Sequence, residues 1–410
     1  MSRIDPKTSK GIKTRDSLVE TATHLFYSDG YFQTSTHQIA QEAGMSTPSF
    51  YQYFYKKEDI LFEIITTFSS ELFGRLKLSL NPEDGLEINV RKFYTEYLSY
   101  LKINRKNYKI FRETEFVGYP YVKQYYFELG EILKNLLGRD IPDWLPVNEL
   151  VYNIIGSVYF VALKKIDWED GGNIFYLSDE LTRFMIKGIN NRADYKLRSN
   201  MQKTWMFSDL SGVPRKLSKS EETKRGLLRA SEKLIGQNGY AKTHISDITR
   251  EAGVGQGTFY LYFQSKLDLL KALVQDINKG LRFAVYQYIV GLSHRNDIEV
   301  GALLAFSEYI KNHRNAYRVV REAEFIDREI GKWYYNRIAE PYAIALKEAM
   351  AKGEINSLDP ELLGLAIMGI GHVLGLRWVV WNESNDPAIP EESLRNSLKI
   401  ILFGVKGEEG

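Results

Sequence analysis

Residues 30–61 read GYFQTSTHQIAQEAGMSTPSFYQYFYKKEDIL, and residues 239–270 read GYAKTHISDITREAGVGQGTFYLYFQSKLDLL, two versions of one segment 209 residues apart. From Arg15 to Leu61 the copies are identical at 16 of 47 positions with no insertion. A period of this length belongs to whole domains, not to solenoid or propeller repeats. The chain must therefore fold as two related halves. Its 410 residues exceed what one compact core holds, which agrees with that division.

The bulk composition narrows the class. Lys and Arg number 54 against 52 Asp and Glu, so no global field advertises a partner. Charge is local instead: Arg3, Lys7, Lys10, Lys13 and Arg15 face Asp5 alone, which fits either an arm touching phosphate or a solvated tail. The absence of cysteine excludes disulfides and thiolate metal sites and fits a reducing compartment. The opening MSRIDPKTSKGIKTR lacks the apolar run of a signal peptide. Residues 362–381, LLGLAIMGIGHVLGLRWVVW, approach membrane-span length, but His372 and Arg377 interrupt them and a buried helix is expected. A soluble cytoplasmic protein with no membrane partner follows. Six scattered histidines and no phosphate-cradling glycine loop leave no catalytic constellation, so no enzyme, metal site or cofactor is expected.

The pattern is helical nearly throughout. Leu18, Ala22, Leu25 and Phe26 form one apolar stripe, and Leu227, Ala230, Leu234 and Ile235 form its counterpart. Gly30 and Gly239 stand where these helices should end. A short second helix centres on Ile39 or Ile248, with capping-box spacing at Ser35 and Gln38 and a weaker version at His244 and Asp247. Ala43-Gly44-Met45 and Ala252-Gly253-Val254 then permit a sharp corner. Ser46 or Gly255 would open a third helix running to Phe54 or Phe263. Helix, tight turn and helix is the helix-turn-helix pattern, here met twice in register. The register continues beyond it: Tyr108, Arg112, Glu113, Glu115 and Phe116 match Tyr317, Arg321, Glu322, Glu324 and Phe325.

These residues resemble the TetR family of bacterial transcription regulators. The resemblance rests on Gly30-Tyr31, Thr34, Ile39-Ala40, Ala43-Gly44-Met45-Ser46, Phe50-Tyr51, Tyr53-Phe54, Lys57 and Leu61, and on their equivalents from Gly239-Tyr240 to Leu270. It implies an all-α chain of two tandem units. Each would pair a three-helix DNA-binding domain (11–61 and 221–270) with a helical effector and dimerisation domain (62–193 and 271–405), joined by a linker over 194–220. Copy two departs from the pattern at Thr249 and Gly255. The helices near 149–166, 177–190, 360–381 and 391–404 occupy the family's dimer-interface positions, so an intramolecular pseudodimer is expected in preference to a homodimer.

The resemblance also places the third helix in the major groove. Thr34, Ser35, Ser46, Thr47, Pro48, Tyr51, Gln52 and Tyr53 would then meet DNA in copy one, as would Thr243, His244, Gly255, Gln256, Gly257, Tyr260, Leu261 and Tyr262 in copy two. Lys57 and Lys266 would meet phosphate. Glutamine can read adenine where leucine meets only apolar surface, so a double-stranded operator with two unequal half-sites is expected. Tyr108, Arg112 and Glu115, with Tyr317, Arg321 and Glu324, read either as a polar handle in an effector pocket or as structural ion pairing. The dense aromatics leave room for an aromatic or hydrophobic small-molecule effector. The function expected is a DNA-binding regulator that represses transcription until an effector releases it. The alternatives are a dimer of the tandem chain bridging DNA sites, or a ligand- or partner-binding module with one degenerate DNA-binding copy.

Overall fold

Apolar side chains at three- and four-residue intervals bury themselves on helices along the computed structural model, which describes residues 6–169, 171–192, 194–197, 218–384 and 386–407. Among the described residues there is no strand, and an isolated bridge joins Asn190 to Ile355. Most of the expected linker, and Arg3 and Asp5 of the basic arm, lie outside the described residues. Two compact units form: one holds residues up to 140 with 162–178, the other 141–161 with 179 onwards.

In the first unit α1 (Ser9–Ser28) is capped by Thr8 and buries Leu18, Ala22, Leu25 and Phe26. The reciprocal Ser35–Gln38 capping box starts α2 (Thr36–Glu42). Gly44, at φ +70°, makes the corner into α3 (Thr47–Phe50). That helix is shorter than the expected span to Phe54. Past Phe50 the chain tightens into three-residue turns, Gln52 N–H to Ser49 O and Tyr53 N–H to Phe50 O, while Phe50 and Phe54 still share one buried face. Then follow α4 (Lys57–Ser79), α5 (Leu86–Ile103) and α6 (Arg105–Leu136). The last is kinked at Gly118 just ahead of Pro120, which cannot donate to the helical ladder.

The second unit begins with α7 (Val147–Val161) and includes most of α8 (Ile174–Lys187). The second head follows as α9 (Lys219–Asn238), α10 (Ile245–Glu251) and α11 (Gln256–Tyr260), with Gly253 at φ +68° in the corner. The expected run of α11 to Phe263 is again cut short, for the same reason. On α9 the buried partner of Ala22 is Ser231, whose hydroxyl donates to Leu227 O at 2.7 Å, and Leu234 is only half-buried. The remaining helices are α12 (Lys266–Ile289), α13 (Arg295–Asn312), α14 (Arg314–Ile326), α15 (Arg328–Ala351), α16 (Pro360–Gly375) and α17 (Glu391–Phe403). Asp327 parts α14 from α15 at the position equivalent to Gly118, and its carboxylate caps the new helix at Glu329 N–H. The same break is thus made by different chemistry.

The most apolar stretch of the chain, Pro360–Val380, is a core helix here, 78% buried. Its α16 part packs against α7, so helices from the two sequence copies meet inside one unit. Glycines set the distance. A Cβ on Gly369 would stand 2.1 Å from Gly156 O, and one on Gly156 would stand 3.0 Å from Gly369 O. A second reciprocal contact joins the helix ends: Ile189 N–H donates to Ile401 O at 3.0 Å and Val405 N–H to Met185 O at 2.8 Å. Equivalent residues touching equivalent residues is the signature of a two-fold interface, here within one chain. Leucine at Gly369 is expected to cost about 3 kcal/mol or more in urea melts, because the clash is with backbone. Alanine at Gly226, which nothing approaches within 4 Å, is expected to raise stability by about 0.5–1 kcal/mol.

Candidate functional site

Each head closes its first corner with the same clasp. Lys57 Nζ, on the first turn of α4, donates to Tyr31 O at 2.7 Å and Thr34 O at 2.6 Å and lies 4.0 Å from the Tyr31 ring centre. Lys266 repeats this with Tyr240 O at 2.9 Å, Thr243 O at 3.0 Å and the Tyr240 ring. Burial lowers the pKa of both ammonium groups. Thr34 and Thr243 are buried, and each hydroxyl donates to the glycine carbonyl four residues back at 2.8 Å. The threonines expected at DNA are thus buried and the lysines half-buried, and all four bond carbonyls that the corner leaves over. Arg15 of the basic arm is likewise buried, paired with Glu63 across α1 and α4.

The clasp's last member has no local signal in the sequence. Glu113, on α6, accepts the Tyr31 N–H at 3.1 Å, and Glu322, on α14, accepts the Tyr240 N–H at 2.9 Å. Donor and acceptor are 82 residues apart, so only the shared register hints at the pair. In both copies a carboxylate from a later helix thus holds the three-helix head by its backbone. Gly30 and Gly239 face these carboxylates closely enough that a Cβ would lie 3.3 and 3.2 Å from an oxygen.

The outer face differs between copies. Ser46, Pro48, Tyr51 and Gln52 are exposed, Thr47 and Tyr53 half-buried, and Ser35 is exposed while capping α2. Ser46 precedes α3, but its hydroxyl bonds Ser49 Oγ at 2.8 Å and leaves the helix end uncapped. In the second head Gly255, Gln256, Gly257 and Tyr260 are exposed, Leu261 is 80% exposed, and His244 lies beside them at the start of α10. Tyr262 is half-buried with its hydroxyl on Ser220 at 3.2 Å. Lys10 and Lys13 line a shallow hollow with Ala43 and Met45 next to the α2–α3 corner.

The six candidate effector residues separate. Arg112 forms a buried ion pair with Asp167 at 2.9 Å, and Tyr108 is buried beside it with Glu115 half-buried further along α6. Structural pairing therefore holds in copy one. Tyr317 instead lines a cavity of about 380 Å³ in the second unit, walled by Leu303, Phe306, Ile338, Ile367 and, from the first sequence copy, Phe160. Its hydroxyl meets His372 Nδ1 at 2.6 Å. Arg321 and Glu324 fall outside that lining. The Arg321 guanidinium folds back 5.0 Å from the Tyr317 ring, and Glu324 packs against Gly331. Within the cavity Glu299 pairs with Arg295, whose Nε donates to it at 2.7 Å.

Burial pushes the Glu113 carboxyl up to about 7, against the pull of the Tyr31 N–H and of Lys109 and Lys57, and burial raises Glu322 too. A carboxyl raised on folding binds its proton better in the folded chain, so its contribution is full below pH 4.5 and fades as pH rises to about 7. That loss is expected to reach roughly 3 kcal/mol for Glu113. The Glu113→Gln variant keeps an acceptor for Tyr31 without the charge, and melts at pH 5 and pH 8 should show its pH slope flattened relative to the parent.

With this geometry in view, the comparisons are specific. The model for bacterial regulatory proteins of the tetR family matches residues 18–64 and again 227–273. The HTH-type transcriptional regulator HbdR of Aromatoleum sp. (strain CIB) is 36% identical over 165 residues, 38% of this chain and 70% of that protein. YdgC of Bacillus subtilis (strain 168), an uncharacterized HTH-type transcriptional regulator, is 40% identical over 78 residues, 19% of this chain and 40% of its own length. The chain thus spans less than half of that relative. A crystal structure of FadR from Bacillus subtilis in complex with stearoyl-CoA is 21% identical, covers 43% of this chain and 95% of its own, and has a TM-score of 0.38. Two family segments in one chain, each on the same three-helix head, place this protein in the tetR family of bacterial DNA-binding regulators.

Proposed function

We propose that the chain binds a DNA operator of two unequal half-sites, represses transcription from it, and is released when a small apolar molecule occupies the cavity beside Tyr317 and His372. The observation that carries this reading is the pairing of one scaffold with two outer faces. The clasps repeat bond for bond, whereas Thr47, Pro48 and Gln52 stand on the outer face where the other head offers Gln256, Gly257 and Leu261. Selection for folding explains the repeated part. The divergent part is largely exposed, so packing does not explain it.

Roles follow from the side chains. Gln52 and Gln256 can each bond an adenine edge, and Leu261 can cover a thymine methyl. Tyr51 and Tyr260, 48% and 58% exposed, can donate to phosphate, with Lys10 and Lys13 adding charge in the first head. Release is linked to the clasps. Glu322 lies on α14, the helix that also carries Tyr317, so a ligand that shifts α14 moves the carboxylate holding the second head.

Duplexes selected from a random pool by the purified chain should contain two dissimilar half-sites; perfect palindromes would refute the reading. On such an operator Gln52→Ala and Leu261→Ala should each relax one half-site and leave the other, by about 1–3 kcal/mol at the affected base. Lys10→Ala should instead weaken binding evenly across sequences and lower the salt slope by about one.

A further inference from the structure

The two copies keep one set of helices and fill it differently. The 209-residue register assigns a counterpart to each cavity position carried on α12 to α15. Ala302 corresponds to Phe93, Leu303 to Tyr94, Arg282 to Phe73, Tyr342 to Leu133 and Ile338 to Leu129. Phe93 and Tyr94 are 0% exposed, and Phe73, Leu129 and Leu133 are buried as well. Their rings interlock with neighbours: Phe93 lies 5.3 Å from Tyr97, Phe73 5.4 Å from Tyr125, and Tyr125 4.3 Å from Phe111. In the second copy Ala302, Phe306, Ile338 and Tyr342 remain half-exposed around the open volume.

Charge changes along with room. Arg282 and Arg337 line the cavity and are exposed, and among the described residues neither meets a carboxylate. The cavity's own acid, Glu299, is already matched by Arg295. At the equivalent positions the first copy has Phe73 and Glu128. Space is lost there, one positive charge disappears and the other is reversed.

We propose that each chain carries one receptive site, in its second copy, that this site takes an apolar molecule bearing one acidic group, and that the first copy takes none. The apolar part fills the space left at Ala302, and the acid reaches Arg282 and Arg337, where a charge-assisted bond is strong. The first copy supplies a wall instead of a site. Phe160 lines the cavity, and the neighbouring Tyr159 ring lies 4.2 Å from His372. The inference rests on the effector reading of this cavity.

Titration calorimetry of the full chain with dodecanoate and with dodecan-1-ol tests it. One dodecanoate should bind per chain, roughly tenfold or more tighter than the alcohol. The Arg282→Gln/Arg337→Gln double variant should erase that difference, and Ala302→Phe should abolish binding of both while the helical circular dichroism is retained. A diazirine-bearing dodecanoate, which needs no variant, should label peptides of α12 to α16 and none of α5. Two dodecanoates per chain, none, label on α5, or parental affinity in folded Ala302→Phe would each overturn the proposal. Operator release is read separately by anisotropy of labelled DNA. One-to-one binding that leaves DNA bound would refute the effector reading and leave the single site standing.

Discussion

A Cβ on Gly369 would lie 2.1 Å from the Gly156 carbonyl oxygen, so α7 and α16 can cross only where neither carries a side chain. The backbone approach this permits brings the flanking side chains into contact. Asn153 donates to Ser397 Oγ at 3.0 Å, and Glu149 accepts from Arg377 at 3.0 Å and from Ser393 at 3.2 Å. These polar ties are one-sided. In the register that pairs Gly156 with Gly369, Glu149 and Asn153 correspond to Leu362 and Ala366. The Phe160 wall of the cavity depends on this contact between the two copies.

Much of the fold was legible because its determinants are local. The apolar stripe at Leu18, Ala22, Leu25 and Phe26, the Ser35–Gln38 box and the glycine corners lie within a few residues of what they specify. The third helices end sooner than their pattern implies, because Phe50 and Phe54 keep helical spacing and a tightened turn preserves that spacing as well as a helix does. On α9 the apolar residues Ala230 and Leu234 flank a face whose centre is Ser231, since a serine that bonds its own backbone packs where an alanine would.

The site was legible in a different proportion. The motif names the exposed third-helix residues, but it does not reveal that the repeated lysines and threonines bond the carbonyls of the corner. Lys57 and Thr34 act on carbonyls exposed by a turn that only the folded head defines. Glu113 finds its partner on another domain. Arg112 and Arg321 show the limit most plainly: both stand in a Tyr-x-x-x-Arg-Glu-x-Glu-Phe segment, yet Arg112 bonds Asp167, whereas Val380 stands in the place matching that aspartate and the Arg321 guanidinium lies over the Tyr317 ring. The cavity depends on a contrast between Ala302 and Phe93 that means nothing until both helices are packed.

Joining the halves at Gly156 and Gly369 within one polypeptide has a quantitative effect. A regulator assembled from separate subunits loses its active form on dilution, so at low abundance its DNA occupancy falls more steeply than its concentration. An interface whose two sides share a backbone meets at a fixed effective concentration set by the connection between them. For the proposed operator, occupancy would then follow the number of chains in simple proportion, and scarcity of the protein would not separate its two halves.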